Sequence, residues 1–160
     1  SMAAGWNQYP ALLLESKSVP NAAEPPKPFK YSAKCSGGAV IGMNGSIYGQ
    51  AGNFNGTPEE IQKIIQTLVE EEKRGDNPPG EGQLAFCFNG LMLGGTKYMF
   101  TTKLVDGGAT VFPFKRGNAG AAISKCNACF VVGIQKSGSS VQDCAEQVQT
   151  LRNQLVQAGQ

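Results

Sequence analysis

Hydrophobic residues recur at helical spacing in the middle and at the end of the chain. The middle repeat follows a helix start in which Thr57 caps, Pro58 takes the first helical position and Glu60 completes a capping box. These signals predict a helix over residues 57–74. The final repeat follows Ser139 or Ser140, either of which can cap, and predicts a closing helix. The apolar positions of the two helices are Ile61, Ile64, Ile65, Leu68 and Val69, and then Val141, Cys144, Ala145, Val148, Leu151 and Leu155.

Short apolar runs bounded by turn residues predict strands between and before these helices. Asn44-Gly45 is a hairpin signal that separates strand segments 30–43 and 46–51. Further strands are predicted over residues 84–89, 97–105, 109–115, 121–126 and 129–135. Pro113 predicts that its strand lies at a sheet edge or carries a bulge.

The first thirty residues predict a short helix followed by an extended connection. Residues 6–16 are apolar enough for a helix, and Pro10 is tolerated near its first turn. Residues 19–29 carry four prolines and have polyproline character. Helices at the two ends of the chain can lie together on one face of an antiparallel sheet, with smaller helices on the other, which predicts an α+β fold.

Composition is typical of one globular domain over residues 1–160. Hydrophobic residues make up 41% and charged residues 16% of the 160 positions. Fourteen basic and twelve acidic side chains give a net charge of +2, which is too balanced for a dedicated nucleic-acid binder. No apolar run approaches the roughly 20 residues of a membrane span, and no export signal is recognised, so we expect a cytoplasmic protein. Ser1 before Met2 is interpreted as a cloning remnant, and residues 74–82 as an inserted surface loop.

The chain has five cysteines and no histidine. The absence of histidine excludes a histidine-based catalytic triad and any zinc site that contains histidine. Cys126 and Cys129 form a CxxC motif, but it flanks a predicted hairpin turn rather than a helix N-terminus, which is where a low thiol pKa is favoured. We therefore expect no enzyme, metal or cofactor, and keep a thiol-redox protein using this pair as an alternative.

Several strings together resemble the profilin family. They are GWNQY at 5–9, GAVIG at 38–42, GSIY at 45–48, TPEEI at 57–61 and GLMLGGTKYM at 90–99. They lie between residues 5 and 99 in the order that the family has. The chain departs from the family in its long proline-rich connection and in the loop at 74–82. The resemblance implies a profilin-like central antiparallel sheet and a function in binding rather than catalysis.

The resemblance implies a groove for proline-rich peptides between the terminal helices. A polyproline II ligand is stiff, so that little entropy is lost when its prolines pack on aromatic rings. The resemblance assigns Trp6, Tyr9 and Tyr48 to this groove, with Thr150 and Val156 at the closing-helix positions where animal relatives have a histidine and a tyrosine. The segment 25–28 contains three prolines of its own, which suggests that it competes for the groove of the same or of a neighbouring molecule.

The resemblance also implies an actin-binding face on the side opposite the groove. Apolar patches with a basic rim suit an acidic partner surface. The implied actin-binding residues are Phe88, Lys97, Met99, Phe100, Lys115, Arg116, Lys125, Gln142 and Glu146. Phosphoinositide lipids are a further implied partner, bound weakly through Lys115, Arg116 and Lys125 with help from Arg152.

The implied function is that of an actin-monomer-binding protein of the cytoskeleton. Such a protein suppresses spontaneous nucleation, delivers actin to barbed ends and engages proline-rich proteins such as formins. The alternative within the same fold is an adaptor that binds proline-rich peptides or lipids without binding actin.

Overall fold

The computed structural model describes residues 6–14, 17–20, 28–31, 34–74, 90–101, 103–106 and 108–160. Phe88 and most of the loop predicted at 74–82 lie outside these residues, as do the segment 21–27 and the strand predicted over 84–89. The helices are α1 (Gln8–Ala11), α2 (Pro58–Arg74) and α3 (Val141–Gln157), with a 3-10 helix at Leu12–Leu14. The strands are β1 (Lys17–Pro20), β2 (Pro28–Tyr31), β3 (Cys35–Gly42), β4 (Ile47–Gly52), β5 (Leu91–Leu93), β6 (Thr96–Phe100), β7 (Leu104–Asp106), β8 (Ala109–Arg116), β9 (Ala119–Lys125) and β10 (Cys129–Gln135).

Eight of these strands form one antiparallel sheet in the order β4-β3-β10-β9-β8-β6-β5, with β7 also paired to β8. The α+β fold class is therefore confirmed. Strands β1 and β2 pair with each other in a separate two-stranded ladder. The predicted extended connection at 19–29 thus includes parts of a strand pair.

The two faces of the sheet are covered by different helices. On one face α2 packs Ile61, Ile64 and Leu68 against the sheet residues Phe114 and Phe130. On the other face α3 packs Val148, Leu151 and Leu155, and the N-terminal helical segment adds Leu13. The terminal helices share one face, as predicted. The helix on the opposite face, α2, has 17 residues, the same number as α3.

Local capping signals determine where the two long helices begin. Thr57 Oγ1 accepts a hydrogen bond from Glu60 N (3.2 Å), and Glu60 Oε1 accepts one from Thr57 N (2.9 Å), so the predicted capping box forms. Ser140 rather than Ser139 caps α3, because its side chain accepts a hydrogen bond from Asp143 N (3.1 Å). Both helices therefore start where the sequence predicts.

Pro113 does not lie in an edge strand, and the ladder between β8 and β9 is regular beside it. Its carbonyl accepts a hydrogen bond from Thr101 N (3.2 Å), which follows β6. Because the N–H and C=O of a strand residue point to the same side, the N–H that proline lacks would also face this segment. The ladder is already interrupted there between β6 and β7. The interior strand β8 accommodates the proline at this break. The single strand predicted over residues 97–105 is therefore two strands in the structure, β6 and β7.

Candidate functional site

Three half-buried aromatic rings form a cluster, which we call the aromatic cluster, at the β4 edge of the sheet. Trp6 lies just before α1, Tyr9 lies in α1 and Tyr48 lies in β4. The centroid of the Trp6 ring is 5.5 Å from that of Tyr9 and 5.1 Å from that of Tyr48. All three side chains are half-buried, and they pack against the core under α3. The structure therefore brings together the three aromatic residues that the sequence assigns to a proline-peptide groove.

Two glycines permit this arrangement. A Cβ atom at Gly49 would lie 2.6 Å from the carbonyl carbon of Trp6, and one at Gly42 would lie 2.5 Å from Cζ of Tyr48. The first glycine lets the backbone of the N-terminal helical segment rest directly on β4, and the second makes room for the tyrosine ring. Asn7 fixes the same contact, because its Oδ1 accepts a hydrogen bond from Gln50 N (3.1 Å). Asn7 was not among the residues assigned from the sequence.

The two residues assigned to the groove from α3 lie on different flanks of that helix. Thr150 follows Gln147 by three residues, and Gln147 accepts a hydrogen bond from Lys34 N (2.7 Å) just before β3. This flank therefore faces β3, on which α1 also lies. Val156 follows Arg152 by four residues, and Arg152 Nε donates to the carbonyl of Lys125 at the end of β9 (3.1 Å). The structure therefore places Thr150 on the flank nearer the aromatic cluster and Val156 on the other.

Thr150 and Val156 lie on different flanks because their side chains leave the helix in different directions. Six residues separate Thr150 from Val156, and α3 continues through Gln157. At about 100° per residue, these two positions point roughly 120° apart around the helix axis. Val156 instead packs against the core between α3 and the sheet.

A second exposed surface, which we call the hairpin face, lies on the β5–β6 hairpin at the other end of the sheet. Leu91 and Tyr98 are register partners and are buried beneath α2. Because strand side chains alternate, the next register pair, Met92 and Lys97, points to the opposite face of the sheet. Met99 shares that orientation. Met92 is 44% exposed and Met99 42%, and they are two of five exposed large apolar side chains in the described part of the chain.

The hairpin face continues onto β8 and the first turn of α3. Lys115 is the register partner of Met99 and is exposed. Lys115 also pairs with Gly120, where an added Cβ would lie 3.0 Å from Cγ2 of Val141 at the start of α3. Gln142 and Glu146 are exposed one turn apart on this helix. Lys97, Met99 and Lys115 therefore share one face of the sheet, to which the structure adds Met92. The start of α3, which carries Gln142 and Glu146, packs beside β9 on that face.

Met92 carries a signal that sequence reasoning missed. The string Met92-Leu93-Gly94-Gly95-Thr96-Lys97 predicts a hairpin with a two-residue turn at Gly94-Gly95. In such a hairpin Met92 and Lys97 are register partners and point to the same face. Counting outward from the two glycines would have placed Met92 beside Lys97.

Three of the residues assigned to the actin-binding face do not point to the hairpin face. Phe100 packs on the α2 side of the sheet, with its ring 5.7 Å from that of Phe114. Arg116 follows Lys115 directly in β8 and so points to the opposite face, close enough to Tyr98 for its charge to lower the pKa of that phenol, which burial raises overall. Lys125 ends β9 and forms an ion pair with Glu72 of α2 (3.1 Å).

The basic residues assigned to phosphoinositide binding therefore do not form a single patch. Lys115 pairs with Gly120 in β9, whereas Lys125 lies five residues further along that strand. At about 3.4 Å per residue the two lysines are roughly 17 Å apart along the sheet. The structure instead brings Lys125 next to Arg152, in a cleft of about 310 Å³ that Glu71 and Glu72 also line. This cleft carries charges of both signs.

The CxxC motif lies in the β9–β10 hairpin, as predicted. Cys126 is 3% exposed and Cys129 is fully buried, and Cys126 N donates to the carbonyl of Cys129 (2.8 Å). A hydrogen bond with Cys129 and burial raise the pKa of the Cys126 thiol, and the same hydrogen bond lowers the pKa of the Cys129 thiol, which burial in turn opposes. Within the described residues, no three histidine, cysteine or acidic side chains are grouped to hold a metal ion. Nor is any helix there long and apolar enough to cross a membrane.

The fold defines a small α+β protein, and the aromatic cluster and the hairpin face are two separate features of its surface. A family model described as Profilin matches residues 28–160, which is most of the chain. The chain therefore belongs to the profilin family, as the sequence strings predict.

Solved profilin structures share the fold at low sequence identity. Rat profilin 2a is 19% identical, with 100% of both chains covered and a TM-score of 0.62. Mouse profilin IIa, solved in complex with a double repeat from the FH1 domain of mDia1, is 20% identical, with 98% of this chain and 99% of that chain covered and a TM-score of 0.62. LokiProfilin1, solved in complex with rabbit actin, is 18% identical, with 78% of this chain and 85% of that chain covered and a TM-score of 0.56.

Proposed function

We propose that this protein binds monomeric actin through the hairpin face and proline-rich segments through the aromatic cluster. The observation that carries the actin proposal is the exposure of Met92 and Met99 beside Lys97 and Lys115 on one face of the sheet. Members of the profilin family are actin-binding proteins without enzymatic activity. In keeping with this, one solved relative is in complex with rabbit actin and another with FH1 repeats.

The chemistry of the hairpin face suits a protein partner with an acidic surface. Two exposed methionines supply apolar contact, and methionine adapts its shape to an irregular partner surface. The flanking lysines steer an acidic partner and fix its orientation. A bound monomer would be kept from spontaneous nucleation and delivered to barbed ends. Any change in nucleotide exchange on actin would follow from a shift in the populations of actin conformations.

The aromatic cluster suits a polyproline II helix. Such a helix rises about 9 Å per turn, so three rings spaced 5.1 and 5.5 Å apart cover roughly one turn. The indole N–H and the phenol O–H groups are donors for the free carbonyls of the ligand. Thr150 contributes little as a donor, because its hydroxyl already donates to the carbonyl of Glu146 (3.0 Å).

The residues that we propose for the two surfaces lie on the α3 side of the sheet, near opposite edges, whereas the resemblance implies that the surfaces are on opposite sides. Five strand-to-strand steps separate β4 from β6. At about 4.8 Å per step, this distance is roughly 24 Å. The α3 helix lies between them. One molecule therefore has room for actin and a proline-rich segment of a formin at once, which fits a cytoplasmic protein associated with the cytoskeleton.

Phosphoinositide binding stays a prediction, and we propose that its affinity is low. Each basic residue near an anionic surface contributes about 1 kcal/mol, and the separation of Lys115 from Lys125 limits how many act together. Binding to vesicles that contain phosphoinositides should therefore be weak and should fall steeply with added salt.

The test of actin binding is pyrene-actin polymerisation with the wild type, Lys97→Glu and Lys63→Glu. Lys63 is exposed on α2, on the opposite face of the sheet, so its substitution makes the same charge change away from the hairpin face. We expect the wild type and Lys63→Glu to suppress spontaneous assembly and Lys97→Glu to lose most of this effect. If the wild type leaves assembly unchanged at high concentration, the actin proposal is refuted.

The second test uses the only tryptophan of the chain, Trp6, as a fluorescent reporter. Titration with a proline decamer should change its emission, and Tyr48→Ala should weaken the binding. Binding of the decamer by a wild type that ignores actin would support the adaptor alternative. An insulin-reduction assay tests the thiol-redox alternative, for which the buried CxxC predicts no activity.

A further inference from the structure

The carboxylate of Glu60 does more than cap α2. Its Oε1 atom accepts hydrogen bonds from Thr57 N (2.9 Å) and from Gly94 N (2.8 Å). Its Oε2 atom accepts one from Gly95 N (3.0 Å). One side chain at the start of α2 therefore holds a turn that lies 34 and 35 residues further along the chain.

The turn that Glu60 holds is built to present its N–H groups. Gly94 has a φ of +62° and Gly95 a φ of +77°, which is the left-handed pair of a type I′ hairpin turn. Consecutive N–H groups in such a turn converge and favour an anion. The carboxylate of Glu60 occupies this position, since it accepts a hydrogen bond from each of the two glycines.

A second contact confirms that the turn is docked. A Cβ atom added at Gly94 would meet the side-chain amide of Asn55, just before α2. Leu93 lies equally close to this segment, because its Cδ1 would be 2.8 Å from a Cβ at Gly56. The hairpin tip therefore rests against the chain that leads into α2.

The hairpin held in this way carries the exposed residues of the hairpin face. Met92 lies two residues before Gly94, and Lys97 lies two residues after Gly95. The β5–β6 ladder has only three register pairs, and within the described residues β5 has no partner other than β6. So short an edge hairpin needs an additional anchor to hold its outer side chains in one position.

We propose that Glu60 is a positioning residue for actin binding, which orients the Met92 and Lys97 side chains by holding the Gly94-Gly95 turn. The inference rests on the proposed function of the hairpin face. Glu60 itself lies at the start of the helix on the other face of the sheet and acts through the hairpin.

The electrostatics of the carboxylate agree with this role. Partial burial alone would raise the pKa of Glu60, but hydrogen bonds from Thr57, Gly95 and Gly94 outweigh it and lower the pKa. The ionised form that holds the turn is therefore the form present at neutral pH.

The experiment compares Glu60→Ala, Glu60→Gln and Thr57→Ala with the wild type in three measurements. They are amide hydrogen exchange at Gly94 and Gly95 by NMR, affinity for monomeric actin, and affinity for a proline decamer. Thr57→Ala is the matched control, because it removes the other half of the capping box and leaves both hydrogen bonds to the turn. Glu60→Gln keeps the length of the side chain and one oxygen acceptor, and so serves if the alanine variant does not fold.

In Glu60→Ala we expect the Gly94 and Gly95 amides to exchange at least about tenfold faster. Actin affinity should fall about threefold to tenfold, because both hydrogen bonds to the turn are lost but solvent screening weakens them and the hairpin keeps its other contacts. Glu60→Gln should show a smaller change in the same direction, greater at Gly95 than at Gly94. Thr57→Ala should match the wild type in both measurements, and no variant should change affinity for the decamer.

Three results would overturn the inference. Unchanged exchange at Gly94 and Gly95 in Glu60→Ala would show that the tie is absent. Faster exchange in Glu60→Ala with unchanged actin affinity would show that the hydrogen bonds between Glu60 and the turn do not orient the actin-binding side chains. This conclusion requires that Lys97→Glu abolishes binding in the same assay. An equal loss of actin and decamer affinity would indicate general damage to the fold. If the wild type binds no actin, the positioning role fails with the proposed function, while hydrogen exchange still decides whether the tie exists.

Discussion

Replacing Gly49 by alanine should disrupt the aromatic cluster from beneath. The new Cβ would lie 2.6 Å from the carbonyl carbon and oxygen of Trp6 and 2.8 Å from Asn7 N, and all three are backbone atoms. Backbone cannot rotate away as the end of a side chain can. The N-terminal helical segment must therefore move off β4 as a unit.

The size of the movement follows from these distances. Ordinary van der Waals contact begins at 3.4 Å, so a contact of 2.6 Å requires a retreat of about 0.8 Å. A retreat of that size would lengthen the hydrogen bond between Asn7 Oδ1 and Gln50 N, now 3.1 Å, beyond useful range. It would also pull Trp6 from Tyr48. Overpacking of this kind costs about 1–3 kcal/mol of stability. An aromatic contact contributes about 0.5–1.5 kcal/mol, so decamer affinity should fall roughly threefold to tenfold.

The assay is titration of Trp6 fluorescence with a proline decamer, alongside urea unfolding and actin binding. Gly117→Ala is the control, because it strains a residue with a φ of +56° but meets nothing within 4 Å and lies far from the cluster. It should lose stability with decamer affinity unchanged. Wild-type decamer affinity in Gly49→Ala would refute the reasoning, and a parallel loss of actin affinity would show that the damage is not local.

Two further predictions concern titratable groups. Because the pKa of Glu60 is lowered in the folded protein, its contribution to stability is present above the unfolded value of 4.5 and is lost as pH falls through the folded pKa. Urea unfolding should therefore show that Glu60→Gln destabilises the protein at pH 7 and much less near pH 3, and an equal effect at both would contradict the assignment. The Sγ atoms of Cys35 and Cys144 are 3.4 Å apart, and these residues are 1% and 0% exposed. Their hydrogen bond and burial raise the pKa of the Cys144 thiol, so iodoacetamide should label neither residue in the native protein and both in guanidinium, as peptide mass spectrometry would show.

Features that depend on adjacent residues could be predicted from the sequence. The capping box of α2 needs only Thr57 and Glu60, and both of its hydrogen bonds form. Strand β10 has the predicted bounds because its apolar run is buried on both faces and ends at clear turn residues. The partners of Glu60 in the β5–β6 turn are remote in sequence, so no local pattern announces its second role.

The residues assigned to the actin-binding face by resemblance do not all point to the same face of the sheet. Lys97 and Met99 lie on one face because they are two residues apart in a strand, whereas Lys115 and Arg116 are adjacent and must point to opposite faces. Val156 was placed by its match to relatives, which takes no account of how far α3 continues. The direction in which each side chain leaves its strand or helix decides where Arg116 and Val156 point. A list of matching positions does not contain that direction.

The position of α3 between the two surfaces has a consequence for genetics. Under the proposed function, delivery of actin by a proline-rich partner requires that both ligands occupy one molecule, at opposite edges of one sheet. A copy that has lost only the hairpin face and a copy that has lost only the aromatic cluster would each hold half of the ternary complex. Expressed together in one cell, the two defective copies would therefore fail to complement each other.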